Sequence, residues 1–364
     1  MSDSTNVMAS ADISEAARAH KRQRAAHKRQ RTAHKRQGTG HKPVLVVAGP
    51  TAGGKSALAL KLAREFGGIV INADSMQVYR DLPVLTAQPG DTDKAAVPHR
   101  LYGFLALDDV CSAERWAGLA RGEIDAAHAA GKLPILCGGT GLYLRALMQG
   151  FSPIPDVPVE VRQAARDLLD SIGSGALRER LAVGDPVSAA RLHANDRQRI
   201  ARAWEVLQAT GRPLSEWQSL LPTSPADLGF LTFVLLPERA ALYRACDERF
   251  TSMLKRGAMA EVRETLDRYP GLYRPGAAPP EGGAKALGFW GLARHGWEGS
   301  EVSAETIAAA QQQTRNYAKR QRTWFRNQMP NENFITPDAP DMQFSESSHA
   351  GISQKIRGFL LTGR

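Results

Sequence analysis

A glycine-rich loop at residues 49–56 carries the clearest chemical signal in the sequence, because it has the spacing G-x-x-x-x-G-K-S. In such loops, backbone N–H groups enclose phosphate oxygens, the lysine reaches across them and the hydroxyl can ligand Mg²⁺. An apolar run at 44–48 precedes the loop, and helical spacing from 55 to 66 follows it, as a strand-to-helix phosphate loop requires. The pattern predicts a phosphate-binding site and leaves the phosphate compound open.

Asp74 is the carboxylate best placed to act beside a bound phosphate. It follows a second short strand at 69–71, and the carboxyl ends of parallel strands present ligand-binding groups at one edge of a sheet. An ATPase would add an acid at the end of another strand, but the strand ending at Cys137 runs into a glycine-rich turn at 138–141. Asp74 is thus a candidate general base, although an isolated aspartate more often caps a helix or a turn.

Cations line one face of a predicted helix near the end of the chain. They recur at positions i, i+4, i+7 and i+11 with aromatic residues between them, which suits contact with a phosphate backbone and stacking on bases. Alone, such a stripe is more often a solvated helix face. A second cluster at 195–202 also holds arginines that could meet RNA. The stripe consists of Arg315, Lys319, Arg322 and Arg326, with Arg320 on its flank.

Other polar residues give weaker signals. Arg249 could hold a diphosphate with two hydrogen bonds, although an ion pair within its own helix is the default interpretation. The nine histidines and three cysteines show no metal-ligating spacing, so we expect neither a transition-metal site nor a disulfide framework. No stretch approaches the roughly 18 apolar residues of a membrane span, and no secretory signal is evident. We expect a soluble, cytoplasmic protein.

The net charge of +10 is concentrated at the N-terminus. Residues 1–42 hold ten Lys and Arg against three acids and contain a seven-residue repeat, whereas the other 322 residues hold 37 cations against 34 acids. The repeat lacks an apolar seam, so it predicts a disordered basic tail instead of a coiled coil. Such a tail could add nonspecific affinity for nucleic acid. We favour the alternative of a duplicated coding segment, or of a start codon placed too early, either of which gives a solvated tail with no role.

The order of elements predicts an α/β fold. Strands alternate with helices in the first part of the chain, three prolines within 151–158 mark a boundary, and only helical patterns follow until strand composition returns at 229–236. We predict a P-loop-type parallel sheet core (43–151 and 229–335) with an inserted all-helical domain (152–228), a helical C-terminal region and a C-terminal tail (336–364).

In combination, these segments resemble the bacterial tRNA dimethylallyltransferases, which prenylate N6 of the adenine next to the anticodon. The resemblance extends over nearly all of residues 43–327, and the order of the motifs is far more specific than the P-loop alone. The matching stretches are 49–56, 72–80, 98–101, 138–143, 185–186, 195–206, 210–215, the segment around Arg249, and 314–326.

The resemblance implies a role for individual residues. Asp74 would be the general base for the adenine N6 amine, the P-loop and Arg249 would hold the diphosphate of dimethylallyl diphosphate, and Mg²⁺ would be the cofactor, with Ser56 as ligand. The implied partner is the anticodon stem-loop of tRNA, bound by a monomer. The implied catalytic residues are Asp74, Lys55 and Arg249; the diphosphate would contact Gly49, Pro50, Thr51, Ala52, Gly53, Gly54, Lys55, Ser56 and Arg249. For tRNA the set is Asp74, Ser75, Met76, Gln77, Thr140, Arg162, Gln198, Arg199, Ile200, Ala201, Arg202, Arg315, Lys319, Arg322 and Arg326.

Two segments depart from the family pattern. Residues 85–88 read Leu-Thr-Ala-Gln where the family usually has Gly-Thr-Ala-Lys, and Phe289 stands where a tyrosine is common. The first change removes a lysine charge near the expected active site, and the second removes a hydroxyl. The alternatives are an adenylate isopentenyltransferase or a P-loop small-molecule kinase, and a nucleotide-dependent RNA-binding protein without chemistry.

Overall fold

The structure, a computed structural model, describes residues 41–220, 225, 227–277, 280, 282–329, 332–337 and 345–362. The N-terminal repeat therefore lies outside the described residues. The elements in chain order are β1 (Lys42–Ala48), α1 (Lys55–Phe66), β2 (Gly68–Asn72), α2 (Asp91–Ala96), β3 (His99–Arg100), α3 (Ala113–Ala129), β4 (Leu133–Gly138), α4 (Gly141–Gln149), α5 (Val159–Gly184), α6 (Pro186–Arg191), α7 (Arg197–Thr210), α8 (Leu214–Trp217), β5 (Leu228–Leu235), α9 (Arg239–Lys255), α10 (Ala258–Arg268), a 3₁₀ turn (Gly283–Lys285), α11 (Phe289–Glu298), α12 (Ala304–Gln328), β6 (Asn333–Ile335) and α13 (Glu346–Thr362).

The described strands form one parallel sheet in the order β3-β2-β4-β1-β5-β6. Strand β1 is central and is buried from Val44 to Ala48, as its uninterrupted apolar run requires. The P-loop follows β1, Asp74 follows β2 and the glycine-rich turn follows β4, so all three leave the sheet at the same edge. The predicted α/β fold with a parallel sheet is confirmed.

Side chains of β1 alternate between two apolar layers that cover the sheet. Val44 and Val46 pack in one layer with residues of α3, α4 and α12, including Phe325. Leu45 and Val47 pack in the other with residues of α1 and α13. The helix with the cationic stripe, α12, is therefore anchored in the core by its own apolar side.

The segment 336–364, predicted only as a tail, contains the helix α13. Ile352 and Ile356 of this helix are buried in the same apolar layer as α1. The carboxylate of Glu65 on α1 accepts a hydrogen bond from the Ser353 hydroxyl at 2.9 Å. The helical spacing of apolar residues at 352, 356, 359 and 360 was the signal available in the sequence. The predicted limit of the N-terminal tail at residue 42 is also corrected. Lys42 is already the first residue of β1 and pairs with Leu228 of β5.

Contact density divides the described chain into two units, one of which spans residues 149–220. This unit is helical and has its own apolar core, which includes Leu177, Leu181 and Ile200. Asp185 is fully buried and accepts hydrogen bonds from the Ser188 N–H at 3.0 Å and the Ser215 hydroxyl at 2.6 Å, which ties the start of α6 to α8. In this unit, the Asp196 carboxylate caps the start of α7 by accepting the Arg199 N–H, and Gly211 ends the helix in a left-handed conformation (φ 66°).

Candidate active site

The loop between β1 and α1 has the backbone of a phosphate cradle. Ala52 and Gly54 adopt left-handed conformations (φ 57° and 82°), and the Gly53 N–H turns back to donate to the Pro50 carbonyl at 3.2 Å. No acidic residue lies in the first turn of α1, and no side chain caps it. Its N–H groups and helix dipole therefore remain available to an anion.

Lys55 lies across this loop, where its Nζ donates to the Pro50 carbonyl at 2.7 Å. Burial lowers the pKa of Lys55 to about 8, although the Asp74 carboxylate opposes this shift and Arg249 adds to it. A bound anion would stabilise the ammonium form of this lysine, because a diphosphate would replace the hydration that burial removes. The Asp74 carboxylate and the Arg249 guanidinium are thus both close enough to Lys55 to change its pKa.

Asp74 is fixed by the last residue of β2. The fully buried Asn72 accepts from the Asp74 N–H at 2.8 Å through its side-chain oxygen and donates to the Asp74 carbonyl at 3.0 Å through its amide nitrogen. The Asp74 carboxylate accepts the Met76 N–H at 2.9 Å and is half-buried. The sequence predicted the position of Asp74, and Asn72 explains its orientation.

The glycine-rich turn at 138–141 supports Asp74 from the neighbouring strand. A Cβ on Gly138 would lie 2.1 Å from the Ala73 carbonyl, so only glycine lets the ends of β2 and β4 approach this closely. Thr140 accepts the Ser75 N–H at 2.9 Å, and its side chain also lies within hydrogen-bonding reach of Tyr317. The turn therefore holds Ala73 and Ser75, the residues before and after Asp74, through Thr140.

Thr51, Asp74 and Arg249 face one cavity of about 250 Å³. A larger concavity of about 570 Å³, lined by residues between 268 and 277 and by Pro280, contains none of these three residues. The smaller cavity combines an apolar wall with cations and hydroxyls, as a prenyl diphosphate or a base would require. Its lining consists of Thr51, Asp74, Ser75, Met76, Leu85, Thr86, Cys246, Arg249, Phe250, Met253, Lys285, Ala286, Leu287, Thr314, Tyr317 and Arg320.

Arg249 on α9 is the residue of the proposed diphosphate site that lines this cavity together with Thr51. Burial lowers the pKa of Arg249, and Asp74 partly offsets the effect. Its guanidinium makes one long contact, 3.4 Å, to the Thr86 carbonyl. The default expectation of an ion pair within its own helix is therefore wrong, since no such pair is observed among the described residues.

The cationic stripe on α12 is less uniform than its spacing predicts. Arg315 forms an ion pair with Asp247, and burial together with Arg326 lowers the pKa of Arg322. Lys319 and Arg326 are exposed, as the stripe requires. Arg320, which the pattern placed on the flank, lies over the Tyr317 ring at 5.7 Å and lines the cavity.

Sequence reasoning missed Tyr317 as a site residue. Burial, with the Asp74 carboxylate as the next cause, raises the pKa of Tyr317, so its hydroxyl stays protonated. Its place among the cations of α12 was visible, but its contact with Thr140 joins segments far apart in the sequence. The apolar lining, including Met253, had no local signal beyond ordinary core spacing.

The proposed tRNA contacts at 162 and 198–202 lie in the helical unit. Arg162, Gln198 and Arg199 are exposed. Ile200 and Ala201 are buried in the core of this unit, at 0% and 7% exposure, so their side chains hold α7 in place. The prediction that these two side chains contact RNA is therefore corrected. Arg202 is partly exposed and pairs with Glu205 at 3.3 Å.

The residues around Ser56 fit a magnesium ion that also binds a diphosphate. Ser56 is exposed at the start of α1, and its hydroxyl also lies within hydrogen-bonding reach of the Cys137 thiol. Burial raises the pKa of Cys137 to about 11, so this strand end offers a neutral group in place of an acid. The described residues contain no group of three His, Cys, Asp or Glu arranged for a metal. Magnesium often keeps waters and binds substrate phosphates, so a single hydroxyl ligand fits it.

The two departures from the family pattern have local explanations. The Gln88 amide donates to the Tyr79 carbonyl at 2.7 Å and does not line the cavity, and it also contacts Thr86, whose carbonyl accepts from Arg249. Gln77, a proposed tRNA contact, likewise donates to the Ala87 carbonyl at 2.7 Å. Phe289 is fully buried in the apolar cluster formed by α9–α12, which accommodates the loss of a hydroxyl.

The parallel sheet, with a glycine-rich loop after its central strand and a carboxylate after β2, defines the class as a P-loop-type α/β protein. The chain belongs to the IPP transferase family, whose model matches residues 77–328. It is 50% identical over 321 residues to the tRNA dimethylallyltransferase of Paramagnetospirillum magneticum, covering 88% of this chain and 98% of that protein. It is 53% identical over 289 residues to the enzyme of the same name from Rhodospirillum centenum, covering 79% and 90%.

Solved structures agree with this assignment. The full-length tRNA isopentenylpyrophosphate transferase from Bacillus halodurans has a TM-score of 0.61 at 29% identity, covering 88% of this chain and 98% of that chain. A eukaryotic dimethylallyltransferase acting on tRNA has a TM-score of 0.72 at 26% identity, covering 89% and 80%. Among the described helices, none has both the length and the hydropathy to cross a membrane.

Proposed function

We propose that this protein transfers the dimethylallyl group of dimethylallyl diphosphate to N6 of adenosine 37 in the tRNA anticodon loop. The products are N6-(dimethylallyl)adenosine and diphosphate. The observation that carries the proposal is the common cavity of Thr51, Asp74 and Arg249, which brings a phosphate loop, a carboxylate and a partly buried cation to one site. The names of the relatives supply the acceptor, tRNA.

The proposed reaction breaks the bond between C1 of the dimethylallyl group and its diphosphate oxygen, and it forms a bond between C1 and adenine N6. The oxygen keeps the electron pair of the broken bond, and the proton lost by the amine passes to the Asp74 carboxylate. An exocyclic adenine amine is a weak nucleophile, so a positioned base is useful. The charge that grows on diphosphate is met by the P-loop amides, Lys55 and Arg249.

The Asp74 carboxylate is held for this task by the Met76 N–H, and the residues on either side of Asp74 are hydrogen-bonded to Thr140. Lys55 and Arg249 each carry a pKa lowered by burial, so a bound diphosphate anion relieves an unfavourable desolvation at both groups. When bound at Ser56, magnesium would neutralise charge on the diphosphate oxygens. The exposed cations of α12 and of the helical unit are the proposed contacts for the anticodon stem-loop. We further propose a cytoplasmic monomer.

The test is to incubate the protein with dimethylallyl diphosphate, Mg²⁺ and either tRNA or AMP, and to measure prenylated nucleosides by mass spectrometry. We expect N6-(dimethylallyl)adenosine in the tRNA and little in AMP. With Asp74→Asn we expect turnover to fall by about 100-fold or more, since general base catalysis contributes roughly 10² to 10⁴. Asp91→Asn, which changes an exposed carboxylate on α2, is the control.

Preferential transfer to AMP would instead identify an adenylate isopentenyltransferase. Phosphorylation of a small molecule would identify a kinase, and tight tRNA binding with no product would identify a binding protein without chemistry. Full turnover by Asp74→Asn would leave the reaction in place and remove Asp74 as its base.

A further inference from the structure

Gln321 on α12 joins the two glycine-rich loops of the site. Its side-chain oxygen accepts the Thr51 N–H at 2.8 Å, and its side-chain nitrogen donates to the Gly139 carbonyl at 2.9 Å. The residue is 5% exposed, although its neighbours in the sequence belong to the cationic stripe. One buried amide therefore connects segments that lie 270 and 182 residues away along the chain.

The amide fits this place in one orientation only. Exchange of its oxygen and nitrogen would set a donor against the Thr51 N–H and an acceptor against the Gly139 carbonyl. A Cβ on residue 139 would lie 2.3 Å from the Gln321 nitrogen, so the glycine makes room for this contact. The contact to Gly139 is buried and the contact to Thr51 is partly buried, and buried polar groups left without partners are costly.

The two contacts reach both halves of the proposed chemistry. Thr51 lines the cavity at the phosphate loop. Gly139 precedes Thr140, which accepts the N–H of Ser75, the residue after Asp74. Gln321 is thus bonded on one side to the loop that would hold the leaving group and on the other to the turn that supports the base.

We propose that Gln321 is a positioning residue that holds the phosphate loop in register with the turn at 138–141, and so with Asp74. It touches neither substrate. This inference rests on the proposed function for its role in prenyl transfer, but the arrangement of the phosphate loop can be measured without transfer, through the affinity for inorganic diphosphate with Mg²⁺.

The test compares Gln321→Met and Gln321→Glu with wild-type protein. The methionine variant keeps the side-chain length and loses both hydrogen bonds, so we expect its affinity for diphosphate to fall about 10-fold. The KM for dimethylallyl diphosphate should rise in parallel, while the affinity for tRNA stays within about twofold, because tRNA contacts the exposed cations. Gln313→Met, an exposed glutamine of α12, is the matched control.

The glutamate variant separates hydrogen bonding from packing. Near pH 8.5 its carboxylate accepts the Thr51 N–H and repels the Gly139 carbonyl. Burial and that carbonyl raise the pKa of the new carboxyl, so we expect its protonated form near pH 5.5 to donate to the Gly139 carbonyl and restore both bonds. We expect its diphosphate affinity, relative to wild type at each pH, to recover about threefold or more on acidification. The relative affinity of Gln321→Met should not change with pH. This comparison holds even if Gln321→Met fails to fold.

Wild-type diphosphate affinity in a folded Gln321→Met variant would overturn the proposal. So would a folded Gln321→Glu variant whose relative affinity is independent of pH, because packing alone would then explain the loss. If wild-type protein forms no prenylated adenosine while the pattern of diphosphate affinities holds, the proposed function fails and the positioning role stands.

Discussion

The loops at 49–56 and 138–141 follow the neighbouring strands β1 and β4 and leave the sheet at the same edge. Both are rich in glycine and both precede a helix, yet their surroundings differ. Ser56 is exposed in the first loop, and Thr51 and Lys55 are partly so. In the second, Gly138 and Gly139 are buried, and α12 fills the space beside the loop with Gln321 and with the ring of Trp324.

The contrast shows that glycine marks close approach to a backbone without saying what approaches. In the first loop, the N–H groups at the start of α1 have no side-chain cap and can bind an anion. In the second, Cβ atoms on Gly138, Gly139 and Gly141 would collide with Ala73, Gln321 and Trp324 respectively. We therefore expect changes in the first loop to affect ligand binding, and changes in the second to affect stability and alignment.

The largest effect on activity is expected from the first loop. Lys55→Met removes the cation that faces the proposed leaving group, so we expect kcat/KM for dimethylallyl diphosphate to fall by about 10² to 10³. The pKa of Lys55 is lowered in the fold, which means that its ammonium form is disfavoured there. The free energy of unfolding at neutral pH should therefore stay the same or rise. A clear loss of thermal stability would contradict the distinction between the loops.

The second loop should respond in the opposite way. A Cβ on residue 141 would lie 2.3 Å from the Trp324 ring, so Gly141→Ala forces the ring or α12 to move. We expect the free energy of unfolding to fall by about 1–3 kcal/mol, the usual range for overpacking. Chemical denaturation measures this change, and diphosphate affinity in the folded variant should fall less than for Lys55→Met.

Two further variants sharpen this result. Gly118→Ala on α3 has no neighbour within 4 Å of the new Cβ and should be neutral or slightly stabilising. In the double variant Gly141→Ala with Trp324→Leu, the clash is relieved, so the two changes should cost less together than their sum. Simple additivity would show that Trp324 does not limit the space at Gly141.

The pH dependence of diphosphate binding tests the first loop alone. Lys55, with a pKa of about 8, is charged below that pH and loses its proton as the pH rises through it. The affinity for diphosphate should therefore be highest below about pH 8 and decline above it. Arginine stays charged over this range, so Lys55→Arg should lose most of this decline. If the diphosphate affinity of wild-type protein and of Lys55→Arg declined equally with pH, Lys55 would be ruled out as the titrating group.

The smallest effect is expected from the basic N-terminus, which belongs to neither loop. Deletion of residues 1–40 keeps Lys42, whose N–H donates to the Asp227 carbonyl at 2.9 Å at the start of β1. We expect kcat/KM for tRNA to stay within about twofold at physiological salt, where long-range charge effects are screened. A loss above about tenfold would make the tail part of tRNA binding.

Local pattern predicted the elements that carry the site. Helix α1 begins at Lys55 and ends at Phe66, as its apolar spacing predicts, and α7 begins after an aspartate and ends at a glycine, as capping rules describe. These features depend on residues a few positions apart, which is the range that periodicity and capping rules describe. The phosphate loop and Asp74 at one sheet edge followed from the parallel arrangement.

Long-range partners could not be predicted in this way. Nothing in the sequence near Gly139 shows that Gln321 fills its empty side, and nothing near Arg315 shows that Asp247 takes up part of its charge. Ile200 was assigned to RNA through resemblance, although its place on the apolar face of α7 already indicated burial. Such contacts are set by how helices pack on the sheet.

The most direct test of the contrast between the loops is hydrogen–deuterium exchange with and without inorganic diphosphate and Mg²⁺. Within residues 49–58 we expect the amides at the start of α1 to become protected when diphosphate binds, because these unpaired N–H groups then have an acceptor. Amides of residues 137–142, already held by β2 and α12, should exchange slowly in the free protein and change little. New protection at 137–142 with none at 49–58 would contradict the account.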